Sequence, residues 1–207
     1  MKKASFFGLL GYLSGRWSDK LTEQKNFLES RIKVLESQSM TDDVTGLYNH
    51  RHILEEIERE IERAVRQGRS LCGMMIDIDN FKRINDVYGH WVGDLVLREM
   101  AFVLKQTIRV IDIVGRYGGD EFVVILPETK FELAERVAQR IQQQVRQHRF
   151  KCKGNSLSLT VSIGLWLFEN PKGLTPAIFV DQIDKAMFAA KGMGKDRIYS
   201  VEIPVPL

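Results

Sequence analysis

RYGGDEFVVILP, residues 116–127, places two glycines directly before two acids, and the acids open an apolar run. Gly118 and Gly119 carry no side chain, so another backbone or a ligand can approach the turn closely. Asp120 and Glu121 are then held at the mouth of a buried strand, where a carboxylate without a partner costs free energy. The stretch therefore predicts a hairpin whose acids hold a metal ion beside a phosphate group. An ordinary acidic hairpin is the alternative that this stretch alone leaves open.

The composition limits the class of protein. The 207 residues have room for one domain of ordinary size plus an extension. Apolar residues make up 44% of the chain and charged residues 28%, which is typical of a soluble globular protein and excludes a disordered one. A net charge of +3 is too small to indicate nucleic-acid binding, so we predict no nucleic-acid partner. Cys72 and Cys152 are isolated and predict neither a zinc site nor a disulfide framework.

The first 40 residues differ in character from the rest. Residues 4–13 are apolar and too short to span a bilayer as a helix, which favours an interfacial or packing segment over an export signal. Residues 18–40 carry a heptad-like stripe that fits either one amphipathic helix lying on the domain or a short parallel coiled coil. The apolar positions of this stripe are Leu21, Leu28, Ile32 and Leu35. We expect a cytoplasmic protein, and contact of its N-terminus with the inner membrane is left open.

A polar break at residues 41–43 predicts a boundary between this N-terminal segment, 1–40, and a folded domain, 41–203. Helical and strand-like segments alternate in the domain, with a hairpin in the middle, which predicts a mixed sheet. The predicted helices are residues 53–67, 81–87, 94–109, 131–147 and 177–191. The predicted strands are residues 70–79, 112–116, 121–126, 157–168 and 197–201. The prediction is therefore an α+β fold, a mixed five-stranded sheet flanked by helices, behind an N-terminal helical extension.

Acidic side chains also end the first predicted strand. If that strand and the hairpin are neighbours, Asp77 and Asp120 come together, and two carboxylates with a backbone carbonyl form a site of the kind that magnesium uses with nucleotide phosphates. Lys82 can neutralise phosphate charge, although a solvated lysine is the alternative. Asn85 and Asp94 can recognise a base edge, because a carboxylate accepts from two donors of guanine and adenine offers no such pair. Helix capping is the alternative for both residues.

Five separate motifs follow one another along the chain. They are DDVTGLYNHR (42–51), DIDNFKRINDVYGHWVGD (77–94), RYGGDEF (116–122), TVSIG (160–164) and AMFAAKGMGKDRI (186–198). Together they resemble the GGDEF domain, the catalytic module of diguanylate cyclases, from residue 42 to about residue 201. The resemblance implies the palm fold of nucleotidyl cyclases. It also implies the condensation of two GTP into cyclic di-GMP with release of two pyrophosphates.

The resemblance implies a role for each matching residue. Metal, Mg²⁺ with Mn²⁺ as the alternative, would be held by Asp77, the backbone carbonyl of Ile78, and Asp120. Guanine would be bound by Asn85 and Asp94. The triphosphate would be held by the amides of Asn80 and Phe81 and by Lys82, Lys191 and Lys195, beside the wall formed by Gly118 and Gly119. Asp120 and Glu121 are the candidates for deprotonating the attacking 3′-hydroxyl, and the sequence does not divide this role between them.

The same resemblance implies an assembly and a regulatory site. Each such domain holds one GTP, so two copies must face each other as a homodimer, and a coiled coil of the N-terminal segment would align them. Arg109 and Asp112 match an RxxD inhibitory site at which cyclic di-GMP binds, and a simple helix-end pair is the alternative. A non-catalytic receptor for cyclic di-GMP or GTP and a structural dimerisation module are the alternative functions. The intact metal and guanine residues disfavour the receptor.

Overall fold

The computed structural model describes residues 24, 25, 27, 39–152 and 155–202. The chain divides into two compact units, Met1–Met40 and Thr41–Leu207. The predicted apolar segment and the predicted stripe with Leu21, Leu28, Ile32 and Leu35 lie outside the described residues. Among the helices that are described, none combines the length and the apolar character needed to cross a membrane.

The second unit is built from helices on both sides of one main sheet. The helices are α1 His50–Gln67, α2 Phe81–Tyr88, α3 His90–Thr107, α4 Phe131–Gln147 and α5 Pro176–Gly192. The strands are β1 Leu71–Ile78, β2 Ile113–Gly118, β3 Glu121–Pro127, β4 Phe150–Cys152, β5 Asn155–Leu157, β6 Val161–Phe168 and β7 Ile198–Glu202. The main sheet has the order β2-β3-β1-β6-β7, and β4 and β5 form a separate hairpin. Strands β6 and β7 are parallel and the other neighbours in the main sheet are antiparallel. The predicted α+β fold with a mixed five-stranded sheet is confirmed.

Strand β1 lies at the centre of this sheet and is buried along its whole length. Met74 and Ile76 pack with the core between the sheet and helices α3 and α4, whereas Met75 packs with the core formed with α1 and α5. A strand covered on both faces needs apolar side chains at successive positions. This explains why the sequence shows an unbroken apolar run here, closed by an acid, and why that acid is drawn into the interior.

The predicted strand at residues 157–168 is wrong in its first part. Strand β5, in the separate hairpin, ends at Leu157 and β6 of the main sheet begins at Val161, so residues 158–160 belong to no strand. The carbonyl of Thr160 accepts a hydrogen bond from the amide of Asp79 at 3.0 Å, which turns this segment towards the end of β1. Leu159 remains buried, so apolar residues continue to alternate through residues 158–160 and the sequence pattern gives no sign of the break. The short β4 was not predicted.

Helix α3 begins at His90, four residues earlier than the predicted start at Asp94. Its N-cap is Gly89, whose φ of 85° lies in a region that residues with a side chain rarely adopt. The glycine therefore lets α2 and α3 follow each other with a single residue between them. As a consequence Asp94 lies inside the helix, one turn from its start, and not at the cap.

Candidate functional site

Strands β1 and β3 bring the predicted metal acids to one edge of the sheet. Asp77 lies opposite Glu121 in the antiparallel ladder. The amide of Ile78 donates to the carbonyl of Asp120 at 3.3 Å. Asp77 is only 4% exposed, and Nζ of Lys191, from the last turn of α5, lies 2.6 Å from its Oδ2. The structure thus joins residues from three of the predicted motifs around one buried carboxylate.

The acids of this cluster outnumber the cations that face them. Burial raises the pKa of Asp77 to about 6, a rise that Lys191 opposes and the neighbouring Asp120 and Glu121 reinforce. Burial also raises the pKa of Glu121, and Asp184 and Asp120 add to that rise while Lys191 opposes it. A carboxylate that is easier to protonate than usual at a strand end is short of positive charge. A bound cation would supply it.

The donors fit a hard divalent cation. Within the described part of the chain, no group of three or more histidine, cysteine, aspartate or glutamate side chains is arranged to hold a metal by itself. Asp77 and Asp120 with the carbonyl of Ile78 would supply the three oxygen ligands that the sequence predicts. Mg²⁺ binds through one or two carboxylates and takes its remaining ligands from water and substrate phosphates. The residues present therefore fit Mg²⁺ or Mn²⁺ bound together with a nucleotide.

Asp79 belongs to the same strand end but has a different task. It is 5% exposed, and its carboxylate accepts from the hydroxyls of Thr160 and Ser162, each at 2.7 Å, and from the amide of Asp196 at 2.9 Å. These bonds tie the end of β1 to β6 and to the loop after α5. Asp79 therefore positions the segment that carries Lys195. Sequence reasoning did not assign this role, although two acids spaced two apart at a strand end pointed to the region.

The loop from β1 into α2 ends at a helix N-terminus that no described side chain caps. Asn80 at the N-cap has φ 61° and ψ 27°, and its side chain does not cap the helix. Nζ of Lys195 lies 2.7 Å from Oδ1 of Asn80 instead. The first amides of a helix have no partner within it and favour an anion. The amides of Asn80 and Phe81, with exposed Lys82 beside them, are thus placed to hold a phosphate.

The predicted base-recognition residues lie on the helices α2 and α3. Oδ1 of Asn85 is buried and has no hydrogen-bond partner among the described residues. A methyl carbon at Gly93 would lie 3.0 Å from Cγ of Asn85 and closer still to Oδ1, so glycine at this position makes room for the amide. Half-buried Asp94 follows on α3. Neither α2 nor α3 has a side-chain cap, so the helix-capping alternative for Asn85 and Asp94 is not what the structure shows.

Arg116 holds the glycine turn from behind. Its Nη2 and Nε donate to the carbonyl of Gly119 at 2.7 and 3.1 Å, and its Nη1 donates to Oδ2 of Asp42 at 3.1 Å. Burial alone would raise the pKa of Asp42, but hydrogen bonds from Thr45 and the charge of Arg116 outweigh it and hold that pKa below its usual value. A methyl carbon at Gly119 would meet nothing within 4 Å, so the front of the turn is open to a ligand.

We expect Arg116→Lys to destabilise the domain by about 1–2 kcal/mol, because lysine keeps the charge but cannot bond the carbonyl and the carboxylate together. The pair is mostly buried, with side-chain exposures of 17% and 21%. Urea unfolding measures the loss. The control is Arg59→Lys, in a pair whose arginine is 57% exposed, and it should change stability by less than about 0.5 kcal/mol. Equal effects in the two variants would contradict the assignment.

Arg109 and Asp112 form a closed pair. Nε and Nη2 of the arginine donate to Oδ1 of Asp112 at 3.1 and 2.6 Å, and Nη2 also donates to Oγ1 of Thr129 at 2.7 Å. The side chain of Asp112 is fully buried, whereas that of Arg109 is 37% exposed. The outward group of this pair is therefore the guanidinium. Thr129 is a further partner that the sequence pattern did not reveal.

The match to known proteins agrees with this geometry. Residues 39–197 match the family described as "Diguanylate cyclase, GGDEF domain". The chain belongs to the GGDEF family. Diguanylate cyclase DgcP of Pseudomonas aeruginosa is 38% identical to it over 194 residues, which cover 90% of this chain and 28% of DgcP. Response regulator PleD of Caulobacter vibrioides is 36% identical over 185 residues, covering 88% of this chain and 39% of PleD.

A solved structure gives the same assignment for the GGDEF domain. The GGDEF domain of DgcB from Caulobacter crescentus, in complex with c-di-GMP, superposes with a TM-score of 0.74 at 28% identity, over 79% of this chain and 96% of that one. The chain spans less than half the length of DgcP and of PleD. The resemblance read from the five motifs is confirmed at the level of the family.

Proposed function

We propose that this GGDEF domain is a diguanylate cyclase that condenses two GTP into cyclic di-GMP and two pyrophosphates. The observation that supports the proposal most is the buried Oδ1 of Asn85, an acceptor without a partner beside Gly93. A buried polar atom left unsatisfied costs about 1–3 kcal/mol, which a turn of the Asn85 side chain towards a donor on a ligand would recover. Guanine offers ring and amino N–H donors on one edge, and Asp94 on the next helix accepts the same kind of donor.

The acid cluster at the end of β1 also supports the proposal. In the proposed reaction, the 3′-oxygen of each GTP forms a bond to the α-phosphorus of the other, and each time the bond from that phosphorus to the oxygen bridging to the β-phosphate breaks, so that two pyrophosphates are released. Asp77, the carbonyl of Ile78 and Asp120 would hold Mg²⁺ or Mn²⁺, which neutralises phosphate charge when bound. The hydroxyl proton passes to a carboxylate of Asp120 or Glu121. The raised pKa of Glu121 suits it as the acceptor.

The triphosphate is held by the loop and the lysines that meet at the end of β1. The amides of Asn80 and Phe81 face one phosphate, and Lys82, Lys191 and Lys195 supply three positive charges. Lys195 is a lysine and not an arginine, so it would act as a point charge and would not form two parallel hydrogen bonds to one phosphate. Gly118 and Gly119 let the second nucleotide approach. Holding and charge neutralisation are the main requirements of phosphoryl transfer.

The proposal includes a homodimer, because each domain supplies one guanine site and the reaction joins two nucleotides. Two copies would face each other through their active-site surfaces. The N-terminal segment, residues 1–40, would raise the local concentration of one copy beside the other. Cyclic di-GMP would bind at Arg109 and Asp112 and inhibit the enzyme.

The test is to incubate the purified chain with GTP and Mg²⁺ and to assay cyclic di-GMP and pyrophosphate. We expect both products from GTP, none from ATP, and none from the Asp120→Ala variant. Binding of cyclic di-GMP without turnover would favour the receptor function. Neither binding nor turnover would favour the structural dimerisation module.

We expect Arg109→Ala to weaken inhibition by cyclic di-GMP by more than about tenfold, since hydrogen bonds to a charged group are worth about 1.5–3 kcal/mol. Removing the arginine leaves the buried carboxylate of Asp112 without its counter-ion, so the domain also loses stability. The companion variant is therefore Arg109→Lys, which keeps the positive charge but loses the planar guanidinium and its paired N–H donors. The measurement is the concentration of added cyclic di-GMP that halves each variant's own initial velocity. Unchanged values in both variants would remove Arg109 from the inhibitory site.

A further inference from the structure

We propose that Lys191 is the resident counter-ion of Asp77 in the metal-free protein and that its exchange between Asp77 and the triphosphate couples metal binding to nucleotide binding. This rests on the proposed function, since it assigns a second task to a lysine of the same site. The starting observation is the ion pair itself. Nζ of Lys191 lies 2.6 Å from Oδ2 of a carboxylate that is 4% exposed.

A metal ion and this ammonium compete for the same carboxylate. A divalent cation bound to Asp77 would lie a few ångströms from Nζ of Lys191, and two cations at that separation repel strongly in a site with little water. Metal binding therefore requires the lysine side chain to move. Without nucleotide, this movement breaks a buried ion pair and offers the ammonium no equivalent partner. A triphosphate that enters with the metal provides that partner.

The backbone around Lys191 is fixed, which confines the movement to the side chain. The amide of Asp196 donates to Oδ2 of Asp79 at 2.9 Å, and Nζ of Lys195 lies 2.7 Å from Oδ1 of Asn80. These two bonds anchor the loop after α5 to the end of β1. The side chain of Lys191 is 28% exposed, so it has room to turn towards solvent and a phosphate. The loop and the metal acids stay in place.

Two consequences follow from competition for one carboxylate. Removing the lysine charge should help a metal to bind alone, although the same lysine is expected to help the nucleotide. Metal and triphosphate should also strengthen each other's binding in the wild type, by the same factor in both directions. If Lys191 only attracted the triphosphate, its removal would not strengthen the binding of metal alone. The two roles therefore differ in a binding experiment that contains no nucleotide.

The experiment titrates the full chain with Mn²⁺ in the absence of nucleotide and measures free Mn²⁺ by electron paramagnetic resonance. We expect Lys191→Met to bind Mn²⁺ at least tenfold more tightly than the wild type. The matched control is Lys185→Met, on the same helix, which removes an exposed pair with Asp181 at 2.7 Å and should leave the affinity unchanged. Asp77→Asn should abolish the tight site in both backgrounds. Lys191→Gln gives the same test with a polar side chain if the methionine variant does not fold.

The second arm repeats the titration with a GTP analogue that has a methylene bridge between its α- and β-phosphates. We expect the analogue to tighten Mn²⁺ binding of the wild type at least tenfold more than it tightens that of Lys191→Met. The proposal would be overturned if, without nucleotide, the Lys191 variants bound Mn²⁺ no more tightly than the wild type. It would also be overturned if the analogue tightened Mn²⁺ binding as much in Lys191→Met as in the wild type. Failure of the proposed function has a separate readout. A wild type that forms no cyclic di-GMP from GTP would remove the enzyme assignment and leave the Mn²⁺ result as it stands.

Discussion

A methyl group at Gly164 is expected to lower the free energy of unfolding by more than about 3 kcal/mol, and the variant Gly164→Ala should be largely unfolded at moderate urea concentrations. Strand β6 lies between β1 and β7, with Gly164 opposite Met75 in the first ladder. A methyl carbon at this position would lie 2.6 Å from the carbonyl carbon of Ala186 and closer still to the amide of Met187. These are backbone atoms of α5, so no side-chain rotation relieves the overlap.

The whole helix must therefore move away from the sheet, and the site moves with it. Lys191 lies in the last turn of α5, so any folded fraction of the variant should hold its lysine out of reach of Asp77. The control is Gly192→Ala, at the last residue of the same helix, where a methyl group would meet nothing within 4 Å. It should change stability by less than about 1 kcal/mol, since alanine is the better helix former. Urea midpoints that agree for the two variants would show that β6 and α5 do not approach as closely as described.

The parts of the fold that sequence alone predicts are those with a local cause. The apolar run of β1 reveals a strand covered on both faces, and the αL glycine at Gly68 ends α1 where the sequence places it. The break before β6 is different. It coincides with a hydrogen bond from the amide of Asp79, in the turn after β1 and far away in the chain, to the carbonyl of Thr160. Apolar residues alternate across that break as they do within β6, so the local sequence pattern does not predict it.

The same distinction applies to the site. The motifs predict which residue types meet, because the chemistry of metal and phosphate demands them. They do not predict the contacts that hold the motifs together. Arg116 reaches Asp42 across 74 positions of sequence, and Thr129 supports Arg109 across 20. Such partners become visible only once the strand pairing is known, since the pairing of β2 with β3 and the bridge between Tyr48 and Gly115 bring these segments together.

The second large effect is expected at Asp77, where loss of function and gain of stability should occur together. Asp77→Asn should lower cyclic di-GMP synthesis by about a thousandfold or more, because it removes a proposed metal ligand from the centre of the acid cluster. The same variant should be more stable than the wild type in metal-free buffer at pH 7.5. Asparagine carries no charge to be desolvated, and the side chain of Lys191, which is 28% exposed, can be hydrated when it loses its partner.

The pH dependence gives the sign of the stability effect. Burial raises the pKa of Asp77 to about 6 in the folded protein, whereas an aspartate in an unfolded chain has a pKa of about 3.9. The folded state therefore holds the proton more tightly, and the contribution of this group to stability falls as the pH rises from about 4 to about 6. The advantage of Asp77→Asn should accordingly grow by an amount on the order of 1 kcal/mol between pH 5 and pH 7.5, measured by urea unfolding in the presence of a chelator.

Asp79→Asn is the matched control, two residues along the same strand end, and its effect on stability should have the opposite sign. The carboxylate of Asp79 accepts three hydrogen bonds, from two hydroxyls and one amide. Asparagine cannot accept all of them, so the variant should lose about 1–3 kcal/mol. One buried aspartate is thus surrounded by hydrogen-bond donors and stabilises the fold, whereas the other faces Asp120 and Glu121 as well as Lys191 and is expected to destabilise the fold until a metal ion binds. If both variants were destabilised alike at pH 7.5, Asp77 would be a structural residue. The inference that the end of β1 is short of positive charge would then be wrong.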